Sequence, residues 1–159
     1  MRTLIWVLLV LAACKQAPKE VDGPSLLLNT ELATKLDAFG RQESKENLEA
    51  CLNTLRISTL FVGVKPGESK AAITADKEGA HVIYAFLEPE AASLWWRGVD
   101  GVASQAAAAT SILDVAIFDK ADIVIIDPQL PDRSLVIPRD NFMPIARAWK
   151  TRAASLDAQ

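Results

Sequence analysis

The sequence predicts an α+β fold: a single compact domain with a mixed sheet of about five strands and helices packed on it, in the order ααβββααββα, after an N-terminal signal peptide. Three observations predict it. Apolar stripes at helical spacing open and close the domain. Short β-branched and aromatic runs, bounded by Gly and Pro, fill its middle. The two kinds of segment interleave without an internal repeat, as a layered domain with one core requires.

The first helix is predicted from Leu28, Leu32, Leu36 and Phe39 on one face, opened by Asn29 or Thr30 and stopped at Gly40. Ser44 is the expected N-cap of the second, with Glu46 in its first turn. Leu48, Cys51, Leu52 and Leu55 fall at i, i+3, i+4 and i+7, so Cys51 reads as a small hydrophobe on the buried side. The run from Ile57 to Val64 reads as a strand ended by Lys65-Pro66-Gly67. A hairpin follows, Ala71 to Thr74 and His81 to Leu87, around Asp76-Lys77-Glu78-Gly79. Its second strand is apolar on both faces, which predicts a central position.

Glu88-Pro89-Glu90 suits a helix start, since proline is tolerated at the first position and carboxylates complement the dipole. This helix is expected to carry Ala91, Leu94 and Trp95 inward. Trp96 then points about 100° away, placing at least one of the two indoles at the rim of the core or outside it. Ala106 to Phe118 is predicted helical, the alanine run deciding against a strand. Ile123 to Ile126 and Ser134 to Ile137 read as the last two strands. Phe142, Ile145, Ala146 and Trp149 define the final helix, with Pro144 in its first turn.

At the N-terminus, Arg2 precedes an unbroken apolar run from Leu4 to Leu11, then Ala12, Ala13 and Cys14. The run is shorter than the roughly 20 residues a spanning helix needs, and it has the layout of a secretory signal. Leu11-Ala12-Ala13-Cys14 resembles the lipobox of bacterial lipoproteins. The resemblance implies cleavage between Ala13 and Cys14, with covalent diacylglycerol and fatty acyl groups on Cys14; no cofactor is expected. Two or three acyl chains anchor a protein stably where one holds it only reversibly, each buried methylene contributing about 0.8 kcal/mol. Residues 1–13 are thus the expected signal peptide, 14–24 a polar lipidated tether, and 25–159 the domain. Lys15 after the cysteine implies, by the same resemblance, the outer membrane facing the periplasm if the organism is Gram-negative. Otherwise the expectation is the cell envelope in general.

Without its first 13 residues the chain has 16 Lys and Arg against 20 Asp and Glu, a formal charge of −4. That acidic balance excludes the cationic stripe that nucleic-acid binding requires. Lipidation of Cys14 leaves Cys51 as the only thiol, so no intramolecular disulfide is expected. One histidine, His81, and no Cys/His cluster speak against a zinc site. Asp119, Asp122, Asp127, Asp132 and Asp140 surround the last two strands, where carboxylates could converge for acid–base or metal chemistry. Trp95 and Trp96, beside Glu88 and Glu90, form the candidate binding surface, because tryptophan is enriched at interaction hot spots.

A second resemblance runs over residues 59–140. Thr59 to Val62, Val82 to Glu90 with Trp95 or Trp96, Ile123 to Pro128, and Ser134 to Pro138 are similar in order and spacing to the SseB-type N-terminal domain family. It implies a compact α+β module without established catalytic residues. The expected function is therefore a membrane-anchored lipoprotein with a non-catalytic protein-binding or adaptor domain. The alternatives are an envelope hydrolase or metal-dependent enzyme using the acidic loops around Asp122 to Asp132, and an accessory factor in protein secretion.

Overall fold

The computed structural model describes residues 23–76 and 78–156. Its elements are α1 (Gly23–Arg41), α2 (Lys45–Leu55), β1 (Thr59–Val64), β2 (Thr74–Ala75), β3 (His81–Phe86), α3 (Pro89–Trp95), β4 (Ala103–Ala108), α4 (Ala109–Phe118), β5 (Ile123–Ile126), β6 (Leu135–Pro138) and α5 (Arg139–Leu156). The fold is α+β with a six-stranded mixed sheet, ordered β4-β1-β3-β5-β6, with β2 pairing β3 beside this path. β3 and β5 run parallel; every other pair is antiparallel.

Several local expectations are met for the expected reasons. The Ser44 hydroxyl accepts from the Asn47 N–H at 3.1 Å and caps α2. Pro89 sits at the start of α3, where its missing N–H costs nothing. Gly79 turns the β2–β3 hairpin with φ at +85°, a left-handed conformation that L side chains avoid.

Several boundaries differ. α1 begins at Gly23 instead of opening at Asn29 or Thr30, and the first strand of the hairpin is Thr74–Ala75 instead of Ala71 to Thr74. Ala103–Ala108 form a strand, so the alanine run did not extend the following helix. All six residues pair with β1, from Thr59 opposite Ala108 to Val64 opposite Ala103. A complete ladder on one side of β1 outweighs a helix preference of a few tenths of a kcal/mol per alanine. Gly40 lies inside α1 instead of ending it. A Cβ there would overlap the Asp132 carbonyl oxygen, so the glycine admits the β5–β6 loop against the helix. Helix α5 begins at Arg139, which puts Pro144 in its second turn.

Strand alternation divides the sheet into two sides. Leu60, Val62, Ile83, Ala85, Val124, Ile126, Leu135 and Ile137 face inward, onto a core built from α1, α2, α4 and α5. Leu32 and Leu36 come from α1, Cys51 and Leu55 from α2, Ile112 and Leu113 from α4, and Phe142 and Trp149 from α5. A smaller cluster of Phe61, Phe86, Ala92 and Trp96 lies on the outer side under α3.

Candidate functional site

The tryptophan pair divides between core and surface, in the opposite sense to the expectation. Ala92 and Trp96 point inward, whereas Leu94 is 59% and Trp95 39% exposed. The reason lies in β1. Gly63 leaves a slot in the outer side of the sheet, and the Trp96 ring fills it so closely that a Cβ on Gly63 would stand 2.6 Å from Trp96 Cε2. Ala92, four residues earlier, shares that buried side because i and i+4 stack on one helix face. Trp96 therefore holds α3 to the sheet and is not available as a docking group.

Trp95 lies across the outer side of β3 instead. Its ring centroid is 5.1 Å from that of Tyr84 and 5.6 Å from that of Phe86, both in tilted packing. From Tyr84 the register continues outward to Ile125 on β5 and then Val136 on β6. Those three residues form one cross-strand row on the outer side, because paired residues share a face. α3, the one helix on this side among the described residues, packs on β1, β3 and β4. Ile125 is half-buried and Val136 54% exposed. Trp95, Tyr84, Ile125 and Val136 thus make an apolar ledge along the edge of α3.

Acidic groups border the ledge at Tyr84. Tyr84 shares a shallow recess with Ala75, Asp76 and Glu78. Burial, followed by the nearby Asp76 charge, pushes the Tyr84 phenol above its ordinary value. Glu88 and Glu90 are exposed at the N-terminal end of α3, where Glu88 is the N-cap residue but makes no side-chain capping bond.

The five aspartates around the last two strands are not gathered into one cluster. Asp122 is occupied at the start of β5: Oδ2 accepts from the His81 N–H at 2.8 Å, and Oδ1 stands 2.9 Å from Arg139 Nη2. Asp119 pairs with Lys70 at 2.7 Å, and that hydrogen bond raises the lysine's pKa. Asp132 and Asp140 are exposed. Asp127 is 1% exposed, with Oδ1 accepting from the Leu87 N–H at 3.0 Å and Oδ2 standing 2.9 Å from Arg133 Nη2. Leu87 is gripped from its other side too, its carbonyl accepting from Asn29 Nδ2 at 2.8 Å. Asp127 therefore joins the ends of the parallel strands β3 and β5. Among the described residues no three His, Cys, Asp or Glu side chains are grouped so as to hold a metal ion.

His81 is exposed, its Nδ1 3.6 Å from Asp122 Oδ2. Cys51 is fully buried, and burial pushes its thiol up to about 11, opposed by Lys35. A thiol held protonated in the core is a poor nucleophile. Ala13 and Cys14 lie outside the described residues. Tyr84, Ile125 and Val136 were missed as surface residues. The available signal was that Ile123–Ile126 is apolar at every position, which is more than a sheet solvated on one side needs. Comparisons of the chain with protein-family models, curated proteins and solved structures found no match.

Proposed function

We propose that the chain is a lipoprotein anchored through Cys14 in the bacterial cell envelope. Its domain serves as a non-catalytic binding or adaptor module that docks a protein through the ledge of Tyr84, Trp95, Ile125 and Val136. The observation that carries the reading is the apolar row that starts at Tyr84 beside α3 and runs on through Ile125 to Val136, on the two strands α3 does not cover. Trp95 beside it supplies a rigid aromatic anchor of the kind that dominates interaction energies. The segments similar to the SseB-type family supply β1, β3, β5 and β6, the strands that build this face. The lipobox resemblance supports the anchor, and Lys15 supports delivery to the outer membrane in a Gram-negative cell.

The test is photo-crosslinking in the native envelope, with the reactive residue at position 95 or 136 and a control at exposed Met143 on α5. A discrete adduct at 95 and 136 but not at 143 is expected, and Val136→Glu should abolish the adduct at 95. Equal labelling at all three positions, or none at 95 and 136, would reject the docking face. In the same cells, Cys14→Ala should leave an unlipidated precursor. Maturation and membrane partitioning like the parent's would reject the anchor independently of the ledge.

A further inference from the structure

A groove of about 310 Å³ opens on the opposite side of the sheet from the ledge, between the end of α2, α4 and α5. Its walls include Ile57, Leu113 and Trp149. Arg56 and Lys150 line it as well, and neither has an ion-pair partner among the described residues. Arg56 Nε is shielded from solvent without a hydrogen-bond acceptor. That nitrogen is closed to the groove as it is to water, so an anion there meets the outer guanidinium nitrogens of Arg56, which can hold a carboxylate by paired N–H···O bonds. Asp114 lines the groove too, so the two cations leave a surplus of one positive charge there. The volume lies at the lower end of those that hold small molecules, which are mostly apolar with a few oriented polar groups.

Beneath the groove, Leu113 and Trp149 also wall a cavity of about 10 Å³, lined only by apolar residues that include Leu60, Val124 and Ile137. Leu113 and Trp149 thus belong both to the groove floor and to the core beneath it.

We propose that this groove binds an apolar monocarboxylate. Arg56 and Lys150 hold its carboxylate, and its hydrocarbon body lies on Ile57, Leu113 and Trp149. Charge complementarity selects the anion, because an uncharged or cationic amphiphile of the same length leaves Arg56 and Lys150 unpaired. Asp114 opposes the ligand, so its neutralisation strengthens binding.

The probe is octanoate, titrated into the full chain in lipid nanodiscs with empty nanodiscs subtracted. It is read by ¹⁹F spectra of fluorotryptophan-labelled protein. The Trp149 resonance, assigned by its loss in Trp149→Phe, should shift saturably at one ligand per chain while the Trp95 and Trp96 resonances stay in place. Arg56→Gln and the exposed Lys150→Gln should each weaken binding about tenfold, and Asp114→Asn should tighten it. Octanol and octylammonium should bind at least about tenfold more weakly than octanoate. Three results would overturn the proposal: an unmoved Trp149 resonance, octanol binding as tightly as octanoate, or parent-like affinity in a folded Lys150→Gln variant.

Discussion

Replacing Asp127 by Asn separates a structural carboxylate from a catalytic one. Asp127 adopts φ of +50°, a left-handed conformation that Asn tolerates as readily as Asp, so the exchange brings no new backbone strain. The amide oxygen can still accept from the Leu87 N–H. What disappears is the negative charge 2.9 Å from Arg133, whose side chain is only 20% exposed. An exposed ion pair contributes about 0–1 kcal/mol, and breaking a fully buried one costs about 3–5. Arg133 retains some access to water, which places Asp127→Asn near 2 kcal/mol, or a melting shift of about 4–8 °C for a domain of this size. Arg133→Met should be worse, because it strands a carboxylate that is 1% exposed instead of a guanidinium that is partly wet. Urea unfolding of the full chain, followed by circular dichroism, measures both. In a double-mutant cycle the combined variant should be less destabilised than the two single losses added, by about 1–3 kcal/mol. A parent-like midpoint for Asp127→Asn would refute the argument, as would additive losses in the cycle.

Two further predictions concern the interior. Because burial raises the Cys51 pKa to about 11, the folded state favours the protonated thiol. That contribution is complete below the ordinary value near 9 and is lost as pH rises toward 11, about 2–3 kcal/mol in all. Cys51→Ala should flatten that stretch of the stability–pH profile, measured by urea unfolding; an unchanged slope would mean the thiol does not contribute. Gly63→Ala places a methyl group 2.6 Å from the Trp96 ring and should cost about 1–3 kcal/mol by overpacking. Adding Trp96→Leu should recover part of that loss, and no recovery would mean that the slot under Trp96 is not what the glycine provides.

The helices and the central strands were legible because their signals are local. The Cys51 stripe, the Ser44 cap and the wholly apolar Ile123–Ile126 each state their own conformation. β4 was not legible, because Ala103–Ala108 contains almost nothing that prefers a strand. Its conformation is imposed by β1, which lies some 45 residues away in sequence and needs a partner on that side. The tryptophans failed similarly. Helical periodicity establishes that Trp95 and Trp96 point about 100° apart. Which of them enters the core is decided by Gly63, a residue of another element that is silent in a local reading. The aspartates were ambiguous for a further reason: residues that suit strand ends also suit loops where chemistry could occur, and the sequence does not show their partners, Arg133, Arg139 and Lys70.

The ledge follows from widths. A helix with its side chains is about 10–12 Å across, and neighbouring strands lie about 4.8 Å apart, so one helix spans two to three strands. α3 has seven residues and sits over β4, β1 and β3, held there by Trp96 in the Gly63 slot. β5 and β6 fall beyond its reach, and their outer positions, Ile123, Ile125 and Val136, are apolar where a solvated face would carry polar residues. The inner side needs no such residues on those positions, because Val124, Ile126, Leu135 and Ile137 already complete the core. The outward isoleucines and valine therefore do nothing for the inner core. In the proposed function, this strip, about as wide as one further helix, is where the docked protein lies.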